Sequence, residues 1–282
     1  MAPNQDMAPN QDLASNSGKI HIGTGGWVFE PWRGAFYPDG LSQKRELEYA
    51  GSKLTSIEIN GTYYGSQKPE SFAKWRAETP DGFVFSLKGS RYITNRRILA
   101  EAAPSIEKFI TGGVLELKEK LGPINWQFMP TKRFDPADFE AFLKLLPHQV
   151  DGQAIRHAVE VRHDSFRSPD FIALLREYKV AVVVAGDSDY TQIADVTAPF
   201  VYARIMGTKE AQPKGYSEND LDAWAKRARD WAGGAAPADL QAVASVGPAA
   251  APRDVFLYVI SGDKVRNPAA AMALIERVGA KD

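Results

Sequence analysis

The stretch Ala158-Val159-Glu160-Val161-Arg162-His163-Asp164 constrains the fold more than any other part of the chain. Successive side chains of a strand face opposite ways, so Val159 and Val161 share an apolar face while Glu160 and Arg162 share a charged one. Ser168-Pro169-Asp170 follows and opens the apolar run Phe171, Ile172, Leu174, Leu175. A serine cap, proline at the first helical position and an acid in the first turn are how a helix begins. A strand that ends in charge and feeds a helix is half of a βα unit. Repetition of that unit would gather the charged ends on one rim.

The chain does repeat it. Strand patterns run over Lys19–Gly23, Leu54–Ile59, Phe83–Lys88, Pro123–Phe128, Ala158–Arg162, Val180–Ala185, Phe200–Ile205 and Asp254–Ile260. Helix patterns separate most of them, over Ser42–Lys53, Pro69–Thr79, Ala103–Leu121, Asp135–Leu146, Ser168 onward, Ser217–Trp231 and Asn267–Val278, with Gly112-Gly113 a breaking point in the third. The weak joint is the sixth connection, which has no helical pattern. Residues 233–253 are rich in Ala, Pro and Gly and read as a surface insertion before the last strand. Eight strands alternating with helices, without a linker-like shift in composition, predict a single α/β domain over residues 19–282, a (β/α)8 TIM-like barrel. A doubly wound open sheet is the alternative. It would want a phosphate-binding glycine loop entering a helix, whereas Gly23-Thr24-Gly25-Gly26-Trp27 runs on to Pro31, so no nucleotide cofactor is expected.

Charge and composition narrow the function. A net charge of −1 gives no overall basic field for nucleic acid or an anionic membrane. The absence of cysteine removes disulfides, thiolate ligands and a cysteine nucleophile, and fits a reducing compartment. No apolar stretch approaches the ~18 residues of a membrane span. Residues 1–18 repeat Met-Ala-Pro-Asn-Gln-Asp and contain no apolar signal core, so they are expected to be a disordered tail on a cytoplasmic protein.

In such barrels chemistry sits at the carboxyl ends of the strands. Strand parity then turns His21, Glu58, Asn60, Lys88, Gln127, Glu160, Arg162, Asp187 and Arg204 inward or onto the upper rim. Buried charge is costly even when paired, so its accumulation at one end points to use rather than stability. A structural Glu160–Arg162 pair remains the plain alternative, and His21, low in its strand, is expected to be a core histidine. His163 follows its strand and suits either loop packing or catalysis, while His148 and His157 are expected to face solvent. Trp27, Trp32, Tyr63, Tyr64 and Tyr92 could stack a sugar or base above the barrel or pack within their own loops. Zinc is poorly served, with no cysteine and no His-x-x-x-His, so no metal is expected. Magnesium on Glu58, Glu160 and Asp187 is the remaining metal possibility, opposed by Lys88 and two arginines.

Several segments resemble the YecE-like family, known as domain of unknown function 72. They are Ile22-Gly23-Thr24-Gly25-Gly26-Trp27, Trp32-Arg33-Gly34 with Phe36-Tyr37-Pro38, Glu58-Ile59-Asn60-Gly61-Thr62-Tyr63-Tyr64, Leu117 to Gln127, and Val159 to His163. The resemblance spans nearly everything after residue 18 and implies a TIM-barrel-like fold without an assigned activity. Some members have been likened to endonuclease IV by fold analogy. This chain departs from the family pattern where that analogy needs support: Asn95 and Met206 stand where histidines are common, and Ser261-Gly262-Asp263 where an Asn-Asn pair is.

The reading that follows is a metal- and cofactor-independent enzyme acting on a small anionic or polyhydroxylated substrate. Glu160 is the candidate general acid or base, Lys88 its partner or proton donor, and Glu58 a second carboxylate. Arg162 and Arg204 would hold an anionic group, and Asn60, Gln127, His163, Asp187, Trp27 and Tyr64 would line the site. Glu58 and Glu160 on well-separated walls, on the order of 6–9 Å apart, would admit an inverting glycosidase. The competing classes are a nucleic-acid binder or phosphodiesterase, drawing on Arg33, Arg91, Arg96 and Arg97, and a barrel that binds a ligand without turning it over. Oligomeric state is not legible.

Overall fold

The computed structural model describes residues 17–280. Of the expected tail, residues 1–18, positions 1–16 lie outside the described residues, and Gly18 at its end is held by its N–H donating to the Ala232 carbonyl at 2.9 Å.

Eight parallel strands close into a barrel: β1 (Ile20–Gly25), β2 (Ser56–Ile59), β3 (Val84–Lys88), β4 (Leu121–Gln127), β5 (His157–Glu160), β6 (Ala181–Gly186), β7 (Phe200–Ile205) and β8 (Asp254–Val259). Each strand pairs with its sequence neighbours, and β8 closes on β1 with Ile20 opposite Val255 and Thr24 opposite Val259. Helices α1 (Glu46–Lys53), α2 (Pro69–Ala77), α3 (Ala103–Thr111), α4 (Pro136–Lys144), α5 (Pro169–Glu177), α6 (Glu218–Ala232) and α7 (Asn267–Gly279) wrap the outside. The (β/α)8 expectation therefore holds.

Local chemistry sets the helix starts. Asp135 accepts the N–H groups of Ala137 and Asp138 at 3.1 Å, and the Ser168 and Ser217 hydroxyls accept from Asp170 and Asp220 at 3.2 Å. Pro69, Pro136, Pro169 and Pro268 occupy first-turn positions, where a missing N–H costs nothing. The Ala103–Leu121 pattern does break at its glycines: Gly113, at φ +121°, ends the α-helical part, and a 3₁₀ stretch over Val114–Lys120 carries the chain into β4.

Two departures stand out. The connection from β6 to β7, residues 187–199, has no helix, and residues 233–253 carry neither helix nor strand. The latter segment is nonetheless tied down. The Asp195 carboxylate accepts the N–H groups of Val243 at 2.6 Å and Ala244 at 2.9 Å, and Arg176 donates to the Val246 carbonyl at 2.8 Å.

The lumen is packed, not hollow. Val84, Ala158, Ala181, Val183, Phe200, Tyr202 and Phe256 fill its amino-terminal end as one apolar cluster. His21 belongs there, buried and stacked on Phe256 at 5.0 Å, as expected of a core histidine. His157 is a correction. It points outward from the barrel but is fully buried between Trp126 and the segment after α4, with Nδ1 accepting from Trp126 Nε1 at 3.1 Å and Nε2 donating to the Pro147 carbonyl at 2.8 Å. His148 is exposed.

Candidate functional site

The carboxyl ends of β2, β3, β4, β5 and β7 meet around one guanidinium. Arg204, on β7 and 4% exposed, donates through Nη2 to Glu58 Oε1 at 2.9 Å and through Nη1 to Glu160 Oε2. Tyr202, two residues earlier on the same face, donates its hydroxyl to the other Glu58 oxygen at 2.6 Å. Glu160 is saturated as well: Asn125 Nδ2 donates to it at 3.2 Å, and Arg162 adds Nε at 2.8 Å and Nη2 at 2.6 Å. Both glutamates are fully buried. Charges taken out of water at such cost persist only when their lone pairs are met, and here they are.

The electrostatics follow from that geometry. Burial alone would raise the Glu160 carboxyl, but the positive charges of Arg204, Arg162 and Lys88 prevail and bring its pKa down to about 2. Burial also works against the Arg204 cation, yet Glu160 and Glu58 outweigh it and hold the guanidinium charged. Lys88 differs. Its Nζ donates to Gln127 Oε1 at 2.7 Å and lies 4.6 Å from the Tyr63 ring centre. Burial, reinforced by Arg204, lowers its pKa to about 8 despite Glu58 and Glu160 nearby.

Above this layer lies a cavity of about 600 Å³. Lys88, Gln127, Arg162 and Arg204 form its floor; Asn60, Gly61 and Tyr64 one side; Trp27, Phe29 and Trp75 an aromatic wall; Ser261 and Lys264 the side after β8. Three features shape it. A Cβ at Gly25 would sit 2.7 Å from Asn60 Nδ2, so only glycine lets that amide lie across β1. Thr62 donates to the Lys88 carbonyl at 2.7 Å and pins the turn that carries Tyr63 and Tyr64. Trp27 packs edge-on to Trp75 at 5.2 Å, while its carbonyl accepts from the Tyr37 hydroxyl at 2.5 Å.

Among the residues singled out from the sequence, Trp27, Asn60, Tyr64, Lys88, Gln127, Arg162 and Arg204 line the cavity. Glu58 and Glu160 belong to the same cluster but lie beneath the floor, turned to Arg204 rather than to the opening. Asp187 does not join them. Its φ of +52° reverses the strand parity, and its carboxylate accepts from Trp224 Nε1 at 2.7 Å on the α6 side. Nor does His163, whose Nδ1 accepts the Ser165 N–H at 3.0 Å and caps a turn. The magnesium trio is therefore not assembled, and among the described residues no three His, Cys, Asp or Glu side chains are placed to hold a metal ion. The sequence reading missed Tyr202 and Asn125, although parity with Arg204 and Gln127 carried the signal. It also missed Phe29, Trp75, Ser261 and Lys264, which loops and a neighbouring helix deliver.

A sequence profile described as a protein of unknown function, DUF72, matches residues 21–282. The chain belongs to the DUF72 family. YunF of Bacillus subtilis strain 168, a UPF0759 protein, is 27% identical over 189 residues, 64% of each chain. YecE of Escherichia coli K12, another UPF0759 protein, is 29% identical over 150 residues, 52% of this chain and 50% of YecE. The chain thus aligns with between half and two thirds of these relatives' length. Crystal structures of DUF72 proteins from Thermotoga maritima and Enterococcus faecalis superpose with TM-scores of 0.66 and 0.69 at 21% and 16% identity. They cover 91% and 93% of this chain and 97% and 96% of their own, and show the shared barrel. Among the described residues no helix is long and apolar enough to cross a membrane.

Proposed function

We propose that the DUF72 barrel binds a small anionic or polyhydroxylated molecule in this cavity and acts on it by metal-independent acid/base chemistry. The observation that carries the reading is the imbalance of the floor. Lys88, Arg162 and Arg204 share two carboxylates, both below the surface, so the floor presents one uncompensated positive charge to the cavity. Arg162, stacked 3.9 Å over the Tyr190 ring, offers its remaining N–H groups to an anion. Lys88 is the cavity-facing group whose lowered pKa suits proton exchange near neutrality. Glu58 and Glu160 take the part of positioning groups that aim Arg204. A glycosidase with two substrate-facing carboxylates fits this burial poorly. Trp27, Phe29 and Trp75 give an apolar or sugar-ring face somewhere to lie.

The test is a thermal-shift and calorimetric screen of sugar phosphates, hydroxy acids and oxo acids, with matched neutral compounds. At least one anionic compound should bind, Arg162→Ala should weaken it tenfold or more, and a chelator should leave binding unchanged. Equal response to the neutral analogues, or none to any anion, would sink the reading. Binding by the wild type without conversion of any bound compound would favour the ligand-binding barrel over the enzyme.

One observation favours a second reading, nucleic-acid binding. Tyr64, which lines the cavity, and Tyr92 are 63% and 65% exposed, with the Arg91 guanidinium 5.7 and 5.5 Å from their ring centres. Arg33 contributes less than expected, since it is paired with Glu46 at 2.8 Å. Affinity for a single-stranded oligonucleotide that drops steeply with salt would support this reading; no binding at low salt would remove it.

A further inference from the structure

Lys88 is buried beside two guanidinium groups, and its position calls for something more than charge. Among the described residues it forms no ion pair: Glu58 and Glu160, the nearby carboxylates, are taken by Arg204, Arg162, Tyr202 and Asn125. The Lys88 ammonium is left with an amide oxygen, and that oxygen is shared, since Arg204 Nη1 also donates to Gln127 Oε1, at 3.2 Å. Two cations converge on one neutral acceptor. A lysine so placed is a poor anchor and a good amine, because burial and neighbouring positive charge both favour losing the proton.

From this geometry we propose that Lys88 is a nucleophile that forms an imine with an aldehyde or ketone bearing an anionic group. The proposal rests on the reading that the cavity takes small anions, and gives that site a substrate class and a covalent step. With its pKa lowered to about 8, roughly a tenth of Lys88 is neutral at pH 7. An unperturbed lysine would be neutral at only about one part in two to three thousand. The neutral Nζ lone pair attacks the carbonyl carbon and the C=O π pair moves to oxygen. That oxygen takes up the proton shed by nitrogen, giving a carbinolamine. The nitrogen lone pair then expels the hydroxyl, protonated from solvent at the open mouth, as water, and the resulting iminium returns its N–H proton to solvent. Amine and carbonyl thus become imine and water, without oxidant, reductant or cofactor. Arg162 and Gln127, both on the cavity floor, are placed to hold the anionic group and the developing oxygen charge. A carboxylate next to the carbonyl and a phosphate one carbon away would serve the same cations.

The full chain is incubated near neutral pH with pyruvate or, separately, dihydroxyacetone phosphate, reduced with sodium borohydride, digested and mapped by mass spectrometry. The expected result is one adduct, on the peptide containing Lys88, of the mass of the carbonyl compound less one oxygen atom. Reaction with pyruvate alone would assign a 2-oxo acid, and with the phosphate ester alone a phosphorylated carbonyl compound. Lys88→Arg should abolish the adduct while calorimetry still detects binding of the unreduced anion. The wild-type map decides the matter even if that variant fails to fold. Labelling confined to exposed lysines such as Lys53 and Lys108, or no labelling by a compound that calorimetry shows bound, overturns the imine and leaves the anion site standing. Absence of both binding and adduct overturns both.

Discussion

Val84, Ala158 and Phe200 fill the amino-terminal end of the lumen, while two to four residues further along the same three strands Lys88, Glu160 and Arg204 fill the other. The first is closed and closely packed, whereas the second is packed only beneath the floor of an open cavity. The first gains from burial without incurring desolvation of charge. The second carries the desolvation of every charge it buries, and an apolar filling of the same volume would serve the barrel as well or better. Two ends built on shared strands, one made for packing and one for charge, separate what holds this barrel together from what it is for.

The sharpest way to break the contrast is Arg204→Met, which leaves the buried Glu58 without a cation and strips Glu160 of one of its two. It should cost about 3–5 kcal/mol by urea denaturation. A loss under about 1 kcal/mol would mean that the charged end relaxes as easily as a surface. Acid probes the apolar end and its surroundings. Burial lowers His21 and His157 to about 4, so between pH 6.5 and 4 the unfolded chain binds protons that the folded one refuses. Stability should therefore fall as pH drops through that window, by on the order of 3 kcal/mol per histidine at most. Glu160 should extend the loss as pH falls from 4.5 toward 2, because its folded pKa is the depressed one. A denaturation midpoint that stays flat between pH 7 and 4.5 would contradict this.

Val183→Ala, at the apolar end, should cost about 2 kcal/mol through a small cavity and leave ligand binding untouched. Lys88→Met should do the reverse, gaining about 1–2 kcal/mol at neutral pH while abolishing the chemistry. The wild type should also gain stability as pH rises from 8 toward 10.5, where its unfolded state alone keeps the Lys88 proton; the methionine variant should lack that rise. Destabilisation by Lys88→Met would show that the ammonium is part of the scaffold after all.

Strand order and closure were legible because period-2 alternation and helix-start residues are local signals, and seven of the nine positions that parity turned inward or onto the rim do meet at the charged end. The exceptions have local causes that parity cannot carry. At Asp187 one left-handed residue, not a glycine, swings the carboxylate to Trp224. At His21 parity is right, but its depth in the barrel puts it among aromatic rings instead of at the mouth. His157 looked solvent-facing because the sequence holds no hint that Trp126 and Pro147 would satisfy both ring nitrogens. The burial of Glu58 and Glu160 beneath Arg204 was hidden for a different reason: it depends on which of several nearby charges pair, a question settled only in three dimensions.

The helix missing between β6 and β7 leaves a stretch of strand wall that another part of the chain must roof. Residues 233–253 do so, with Leu240, Val243 and Ala244 packed against the core and two backbone amides held by Asp195, which itself lies in the helix-free crossover. What reads as low-complexity filler thus serves as a surrogate helix, contributed by a segment some forty residues downstream. Excising it would not trim an ornament; it would uncover the strand wall at the one connection that, among the described residues, has no helix of its own.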